Sequence, residues 1–461
     1  MPRLFGTDGV RGVANVDLTA ELALDLSVAA AHVLGETGAF DAPDRPHRRP
    51  VAVVGRDPRA SGEFLEAAVV AGLASAGVDV LRAGVLPTPG IAYLTGDTGA
   101  DLGVVLSASH NAMPDNGLKF LSRGGVKLDD ATENAVEQRL REPWQRPTGA
   151  AVGRVRPLSG GLDRYVHHLV GSLPDDVDQA LLSRLRVVVD CANGAAFEAA
   201  PRTLARLGVD VVPIHSSPDG ININRDCGST HLADLQAAVR ETRADLGFAH
   251  DGDADRCLAV DERGRVVDGD HLLAILGVAL RDARRLPENT LVATVMSNLG
   301  FLQAMRREAI TVEQTPVGDR HVLAALDRGG WSLGGEQSGH VILRDHATTG
   351  DGILTAVQVL GRIGQTGSTL TDLAAVMTAL PQVLVNVHGV DTTRTAEHPV
   401  VVAAVDTAAR ELGSDGRVLL RPSGTEPVVR VMVEAPTADQ AHAVAGRLAA
   451  AVRDNLALAQ P

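Results

Sequence analysis

The chain has 461 residues, 45% hydrophobic and 2% aromatic, and its 43 Lys and Arg against 57 Asp and Glu leave a formal charge of −14. At roughly 100–200 residues per domain that length predicts about three or four domains. The acidic balance argues against general attraction to nucleic acid or anionic membranes, and so few rings leave little to stack bases on, although local basic clusters can still bind phosphate. Cys191, Cys227 and Cys257 are odd in number and far apart, with neither paired metal-ligand spacing nor a disulfide framework, which predicts a reducing cytoplasm. The opening MPRLFGTDGVRG has no apolar signal core, and no apolar run reaches the ~18–20 residues of a membrane span.

Taken in chain order, one grammar recurs: an apolar strand, a Gly/Asn/Ser-rich loop, an amphipathic helix and a second β-branched strand. It begins at Val51 (VAVVGRDPRASGEFLEAAVVAGLASAGVDVL), at Leu185 (LRVVVDCANGAAFEAAPRTLARLGVDVV) and at Leu291 (LVATVMSNLGFLQAMRREAITVE), with Gly77 and Gly208 placed to end helices. Three such βαβ units predict three related α/β domains with mixed sheets around a central active-site cleft. Residues 142–161 read as a Pro/Gly-rich linker, and residues 369–380 (TLTDLAAVMTAL) as a helix closing the third domain. Beyond it, strand-like VLVNVHGV, GRVLLRPS and VVRVMVEA and an alanine-rich helix from Ala438 predict a smaller C-terminal α+β domain. The expected divisions are 1–157, 158–262, 263–379 and 380–461.

Four loops carry candidate chemistry. The apolar run LGVVL reads as a buried parallel strand, and the SASHNAMPDNGLKF that follows it places Ser107, Ser109 and His110 at its carboxyl end, as nucleophiles or as turn formers. HDGDADR sets Asp251, Asp253 and Asp255 at alternate positions, a hard oxygen set suited to Mg²⁺ unless it is a solvated acidic turn. The calcium-loop alternative, with Glu262 at position 12, is opposed by Arg256 at the glycine position and by strand-like flanks. LGGEQSGHVI alternates Glu336, Ser338 and His340, which can hydrogen-bond vicinal sugar hydroxyls. In RPSGTEPVVR, Ser423, Gly424 and Thr425 can form a backbone nest flanked by Arg421 and Arg430, a phosphate cradle or a plain hairpin. Arg11 in FGTDGVRG and Arg56 and Arg59 in GRDPRASG are weaker basic contributors. Together the loops describe phosphoryl transfer on a phosphosugar, and without a Walker A motif or kinase glycine loop a serine that itself carries the phosphoryl group is the natural source.

FGTDGVRG, SASHN with DNGLKF, DGDADR, GEQSGH and RPSGTEP, in this order and across essentially the whole chain, resemble the α-D-phosphohexomutase superfamily. The opening FGTDGVRG, Gln337 and Pro422 resemble its bacterial amino-sugar branch. The resemblance implies interconversion of glucosamine 6-phosphate and glucosamine 1-phosphate through glucosamine 1,6-bisphosphate, feeding UDP-N-acetylglucosamine and cell-wall synthesis. A phosphomannomutase or phosphoglucomutase is the alternative within the family, and a non-catalytic phosphosugar-binding protein the alternative outside it. The resemblance also implies phosphorylation at Ser109 and Mg²⁺ held by Asp251, Asp253, Asp255 and a phosphate oxygen on Ser109. It places Lys119 and Arg11 beside the reacting phosphate and Glu336, Ser338 and His340 on the sugar, with Lys119 or His340 moving the proton. Arg421, Ser423, Gly424, Thr425 and Arg430 would hold the other phosphate, and the family implies a homodimer. Two departures stand out: Ala112 where relatives usually have proline, and Pro316 where many have lysine.

Overall fold

The computed structural model describes residues 3–6, 8–41, 48–423 and 427–458. Each repeated segment forms a parallel βαβ unit: Val51–Arg56 with Asp79–Val85, Arg186–Asp190 with Asp210–Ile214, and Thr290–Thr294 with Thr311–Thr315. The intervening helices are Ser61–Ser75, Ala196–Arg206 and Leu299–Arg307. Gly77 and Gly208 follow the first two with φ of +88° and +87°, a left-handed turn out of the helix that a Cβ would oppose.

All three units are extended in the same way, beyond the repeat visible in the sequence. A third strand (Leu102–Leu106, Leu246–His250 or Leu333–Gly335) joins the first in parallel. A fourth (Asp115–Ser122, Cys257–Asp261 or Val341–Leu343) returns antiparallel beside the third, so every sheet is mixed. The turns between third and fourth strands are residues 107–114, 251–256 and 336–340. The serine, aspartate and sugar-loop motifs thus occupy one topological place, repeated three times, at the carboxyl end of a parallel strand where open α/β sheets meet ligands.

The first sheet is buried on both faces, and its strands show why. Ala52, Val54, Leu102, Val104 and Leu106 pack with the helices Ala20–Glu36 and Ser61–Ser75, while the alternate Val53 and Val105 pack with Ile91 and Leu94 of the helix Thr88–Asp97. Ala, Val and Leu fill most of these layers, with Phe5 and Phe120 the buried rings among them. Gly9–Val13 and Val155–Pro157 widen the sheet on its two sides. The expected linker at 142–161 therefore ends in an edge strand, where a proline costs no interior ladder bond.

The last sheet is antiparallel, in the order Gln382–His388, Val428–Glu434, Arg417–Pro422. Val429, Val431 and Val433 face Val444, Leu448 and Val452 of the helix Ala438–Leu456, which Thr437 caps through the Gln440 amide. The helix expected over 369–380 is confined to Leu370–Ala374. Further on, the Asn298 side chain binds both the amide and the carbonyl of Leu380 at 2.9 and 3.0 Å, an alternative to helical hydrogen bonds. The chain divides into two compact units, Met1–Val295 with Ile310–Val376 and Met296–Ala309 with Met377–Pro461. The first three sheets lie in the first unit and the antiparallel sheet in the second. Among the described residues no helix is long and apolar enough to cross a membrane.

Candidate active site

The two serines of the first loop have different partners. Ser107 Oγ donates to Asp57 Oδ2 at 2.7 Å and accepts the Ser109 amide at 2.9 Å, so it shapes the turn. Ser109 has φ +53°, an uncommon and strained conformation for a residue with a Cβ, and its Oγ donates to Asp251 Oδ2 at 2.5 Å. The loop is held from beneath by Arg59, which is fully buried. Its Nε donates to Asp57 at 2.9 Å, Nη1 to the carbonyls of Ala112 and Asp115, and Nη2 to those of Ser109 and Asn111. All five guanidinium N–H groups are therefore used. Arg59, expected as a weak phosphate cation, is instead a clamp, and Arg56 is likewise engaged by Glu66 at 3.1 Å. The clamp also answers for Ala112, because a guanidinium fixes the carbonyl of the residue that lacks a proline ring. Asn224 Nδ2 adds bonds to the Ser109 and Asn111 carbonyls at 2.9 and 3.0 Å.

Asp251, Asp253 and Asp255 are all buried, and one oxygen from each lies within 4.8 Å of the others. Antiparallel strands flank the loop, which removes the calcium-loop alternative with its paired helices. Burial, then the neighbouring Asp255 and Asp253, raise the Asp251 carboxyl well above the usual range. Asp253 Oδ1 and Asp255 Oδ1 are buried without a hydrogen-bond partner among the described residues. Uncompensated carboxylates at this depth are costly, and the donor set fits a hard divalent cation.

The other expected side chains of the first unit converge on the same place. Lys119 Nζ lies 3.0 Å from Asp253 Oδ2 and 2.9 Å from Asp8 Oδ2. Burial opposes its charge, but Asp253, Asp8 and Asp255 outweigh burial and hold it as a cation. Arg11 pairs with Asp8, and its buried Nε has no partner. His340 Nδ1 stands 3.6 Å from Asp255 Oδ2, which overcomes burial and lifts the imidazole to about 9, while its buried Nε2 has no partner. Ser338 Oγ is also buried without a partner, and Glu336 Oε1 accepts the Gly318 amide at 3.0 Å, just beyond Pro316. A cavity of about 270 Å³ is lined by Lys119, Asp255 and His340 together with Asp8, Asp319 and Arg320.

Further participants surround these side chains; Asp8, Lys127 and Thr88 were not singled out from the sequence, whereas His110 was. Asp8 binds Lys119 and also Lys127 at 2.9 Å. Thr88 Oγ1 donates to Asp253 Oδ2 at 2.6 Å. Arg256 carries a buried Nε without a partner, and its position beside the aspartates was the available signal. His110 Nδ1 lies 3.2 Å from Ser109 Oγ, its imidazole depressed to about 4 by burial and by Arg256 and Arg11. Nothing local in the sequence marks Asp57 or Asn224 as supports of a loop far along the chain.

In the second unit Arg421 and Arg430 are direct partners on adjacent antiparallel strands, and the Ser423 amide donates to the Val428 carbonyl at 2.8 Å. Directly opposed like charges disfavour a sheet unless an anion is there to share. Gly424 and Thr425 lie outside the described residues.

A strained, buried serine thus stands against a carboxylate cluster, ringed by cations and mounted on a three-fold repeat of one mixed sheet, the sheet build of a phosphohexomutase. Models of the phosphoglucomutase/phosphomannomutase family match domain I over residues 2–146, domain II over 163–264, domain III over 268–380 and the C-terminal domain over 384–451, and the chain belongs to that family. It is a mutase by that membership. It is 63% identical to a phosphoglucosamine mutase of Streptomyces griseus over 461 residues, covering 99% of this chain and 100% of the relative. Its fold resembles a phosphoglucomutase/phosphomannomutase family protein of Burkholderia thailandensis (TM-score 0.81, 24% identity, 98% and 97% of the two chains). It also resembles the Aspergillus fumigatus N-acetylphosphoglucosamine mutase in complex with GlcNAc-6P and magnesium (TM-score 0.61, 19% identity, 98% and 96%).

Proposed function

We propose that the chain interconverts glucosamine 6-phosphate and glucosamine 1-phosphate through a phosphoserine at Ser109 and glucosamine 1,6-bisphosphate. The observation that carries the mechanism is Ser109 itself, its hydroxyl 2.5 Å from Asp251 beside two aspartates with unpartnered oxygens. A phosphoryl group of about −2 charge at that position needs positive charge around it. The relative at 63% identity supports the sugar.

In the forward direction a hydroxyl of the sugar attacks phosphorus, its bond to Ser109 Oγ breaks, and the hydroxyl proton leaves to a side chain. The bisphosphorylated sugar then turns over and returns its other phosphoryl group to Ser109, so phosphate is conserved. His340, which keeps its proton up to about 9 and whose Nε2 has no hydrogen-bond partner among the described residues, suits the acid side of proton transfer, giving its proton to the departing oxygen. Lys119 stays cationic among three carboxylates and with Arg11 offsets charge on the transferring group. Asp251, Asp253 and Asp255 would hold Mg²⁺, which when bound supplies Lewis-acid stabilisation of the phosphoryl oxygens. Glu336 and Ser338 would orient the sugar, and Arg421, Ser423, Gly424, Thr425 and Arg430 would bind the phosphate that does not react. The roles divide along the proposed domains 1–157, 158–262, 263–379 and 380–461. All three cysteines are unpaired thiols, which supports a reducing, cytoplasmic setting.

The test replaces Ser109 and Ser107 separately with alanine. Ser109→Ala is expected to lose turnover and labelling by bisphosphorylated sugar, while Ser107→Ala still takes up label. Retained turnover in Ser109→Ala would overturn the covalent route. Specificity constants for glucosamine, glucose and mannose phosphates test the sugar.

A further inference from the structure

A second cluster of ligand-type side chains lies in the second sheet, away from the aspartate triad. Asp190 ends the strand Arg186–Asp190, His215 follows Asp210–Ile214, and Cys227 precedes a short helical turn, so all three sit at carboxyl ends or in the adjoining loop. One atom from each of the carboxylate, imidazole and thiol lies within 4.8 Å of the other two. We infer that Asp190, His215 and Cys227 form a second metal site, for a borderline or soft divalent cation of the zinc class, independent of the proposed mutase chemistry.

Two observations besides the clustering point to a ligand. Cys227 is fully buried, and among the described residues its Sγ makes no hydrogen bond, whereas the thiols of Cys191 and Cys257 each reach a backbone carbonyl. His215 Nδ1 is buried and 3.1 Å from Asp190 Oδ2, yet misaligned for a hydrogen bond with it. The Cys227 thiol thus lies inside the cluster with no hydrogen bond among the described residues, and His215 Nδ1 has only the neighbouring carboxylate of the same cluster.

The surroundings match what a metal-binding imidazole needs. His215 Nε2 is 3.2 Å from Asp234 Oδ2, the carboxylate-on-histidine arrangement that fixes a ligating ring. Asp190 is oriented by the amides of Ala192 and Gly228, each at 2.9 Å, and its oxygens keep lone pairs for a cation. Thiolate with imidazole selects zinc-like ions over Mg²⁺, and three protein ligands leave a fourth tetrahedral position to water. His215, Asn224 and Asp226 all have positive φ, a concentration of backbone strain of the kind found at ligand sites. Because Asn224 holds the Ser109 and Asn111 carbonyls, a cation on Cys227 would also brace the serine loop.

The experiment is a titration of chelator-stripped, full-length protein with Co²⁺, following the near-ultraviolet thiolate-to-cobalt charge-transfer band. The expected result is a band that saturates at one thiolate-bound cobalt per chain, is bleached by Zn²⁺ and persists in excess Mg²⁺. It should vanish in Cys227→Ser, survive in Cys191→Ser and survive in Asp251→Asn, whose site offers oxygen ligands only. Asp234→Asn should weaken zinc binding about 10–100-fold. Absence of the band in the unmodified protein would overturn the inference without recourse to any variant and leave an imidazolium between two carboxylates. A band that persists in Cys227→Ser would overturn it equally.

Discussion

Replacing Arg59 with methionine keeps an unbranched apolar stem and removes all five donors. The single change strands Asp57, whose carboxyl is already raised by burial with the guanidinium beside it. The carbonyls are less exposed to the loss: Ser109 and Asn111 keep the Asn224 amide, and Ala112 keeps the Asp115 amide. The unpaired carboxylate therefore dominates, and breaking a buried pair of this kind costs about 3–5 kcal/mol. Against a typical total of roughly 5–15 kcal/mol the protein remains folded at room temperature. Catalysis should fall further than stability suggests, because Ser109 at φ +53° loses half of what holds its carbonyl, and a displacement of about 1 Å costs about 100-fold. Urea unfolding and a coupled mutase assay measure the two effects separately. Adding Asp57→Asn removes the stranded charge while keeping an acceptor for Ser107, so the double variant should recover most of the stability and little of kcat. Wild-type kcat in Arg59→Met, or kcat restored together with stability in the double variant, would refute the positioning role.

Gly252→Ala places a Cβ 2.5 Å from the Ser109 carbonyl oxygen and 2.9 Å from Asn224 Nδ2, so kcat should drop more than tenfold with little change in KM, as steady-state kinetics will read. Ala112→Pro should leave kcat within twofold and hold or raise the melting temperature, since its carbonyl is already fixed by Arg59. Chelation should abolish activity, Mg²⁺ should restore it, and its addition to weakly buffered protein should release protons from the triad, where Asp251 is raised by burial and its neighbours. Asp351 is buried and lifted to about 6, above the unfolded value of about 3.9. The folded state there binds the extra proton, so this group's contribution is full below pH ~4 and is lost as pH rises through about 6, roughly 3 kcal/mol in all. Melting curves in chelator should therefore show Asp351→Asn gaining on wild type across that window and running parallel above it.

The sequence by itself determined what depends on neighbours along the chain. Apolar and β-branched runs, helix-ending glycines at 77 and 208 and contiguous loop motifs gave the three βαβ units, the C-terminal α+β domain and the residues clustered at 107–110, 251–255 and 336–340. Local pattern also misled where tertiary bonds prevail: Asn298 holds Leu380 outside the expected helix, and pairing with Asp79–Val85 makes a strand of the presumed linker. The family resemblance already singled out Ser109, but only the tertiary structure gave a physical difference between it and Ser107, since both are serines in one loop and differ in what reaches them, Asp251 in one case and Asp57 in the other. It alone made Arg59, read as a weak basic contributor or a structural residue, a buried clamp, and it alone joined Asp190, His215 and Cys227. Burial, strain and the partners of a charge are set by segments scores of residues away, and they decide which hydroxyl meets a carboxylate, which carboxylates cluster and which thiol stays without a hydrogen bond among the described residues.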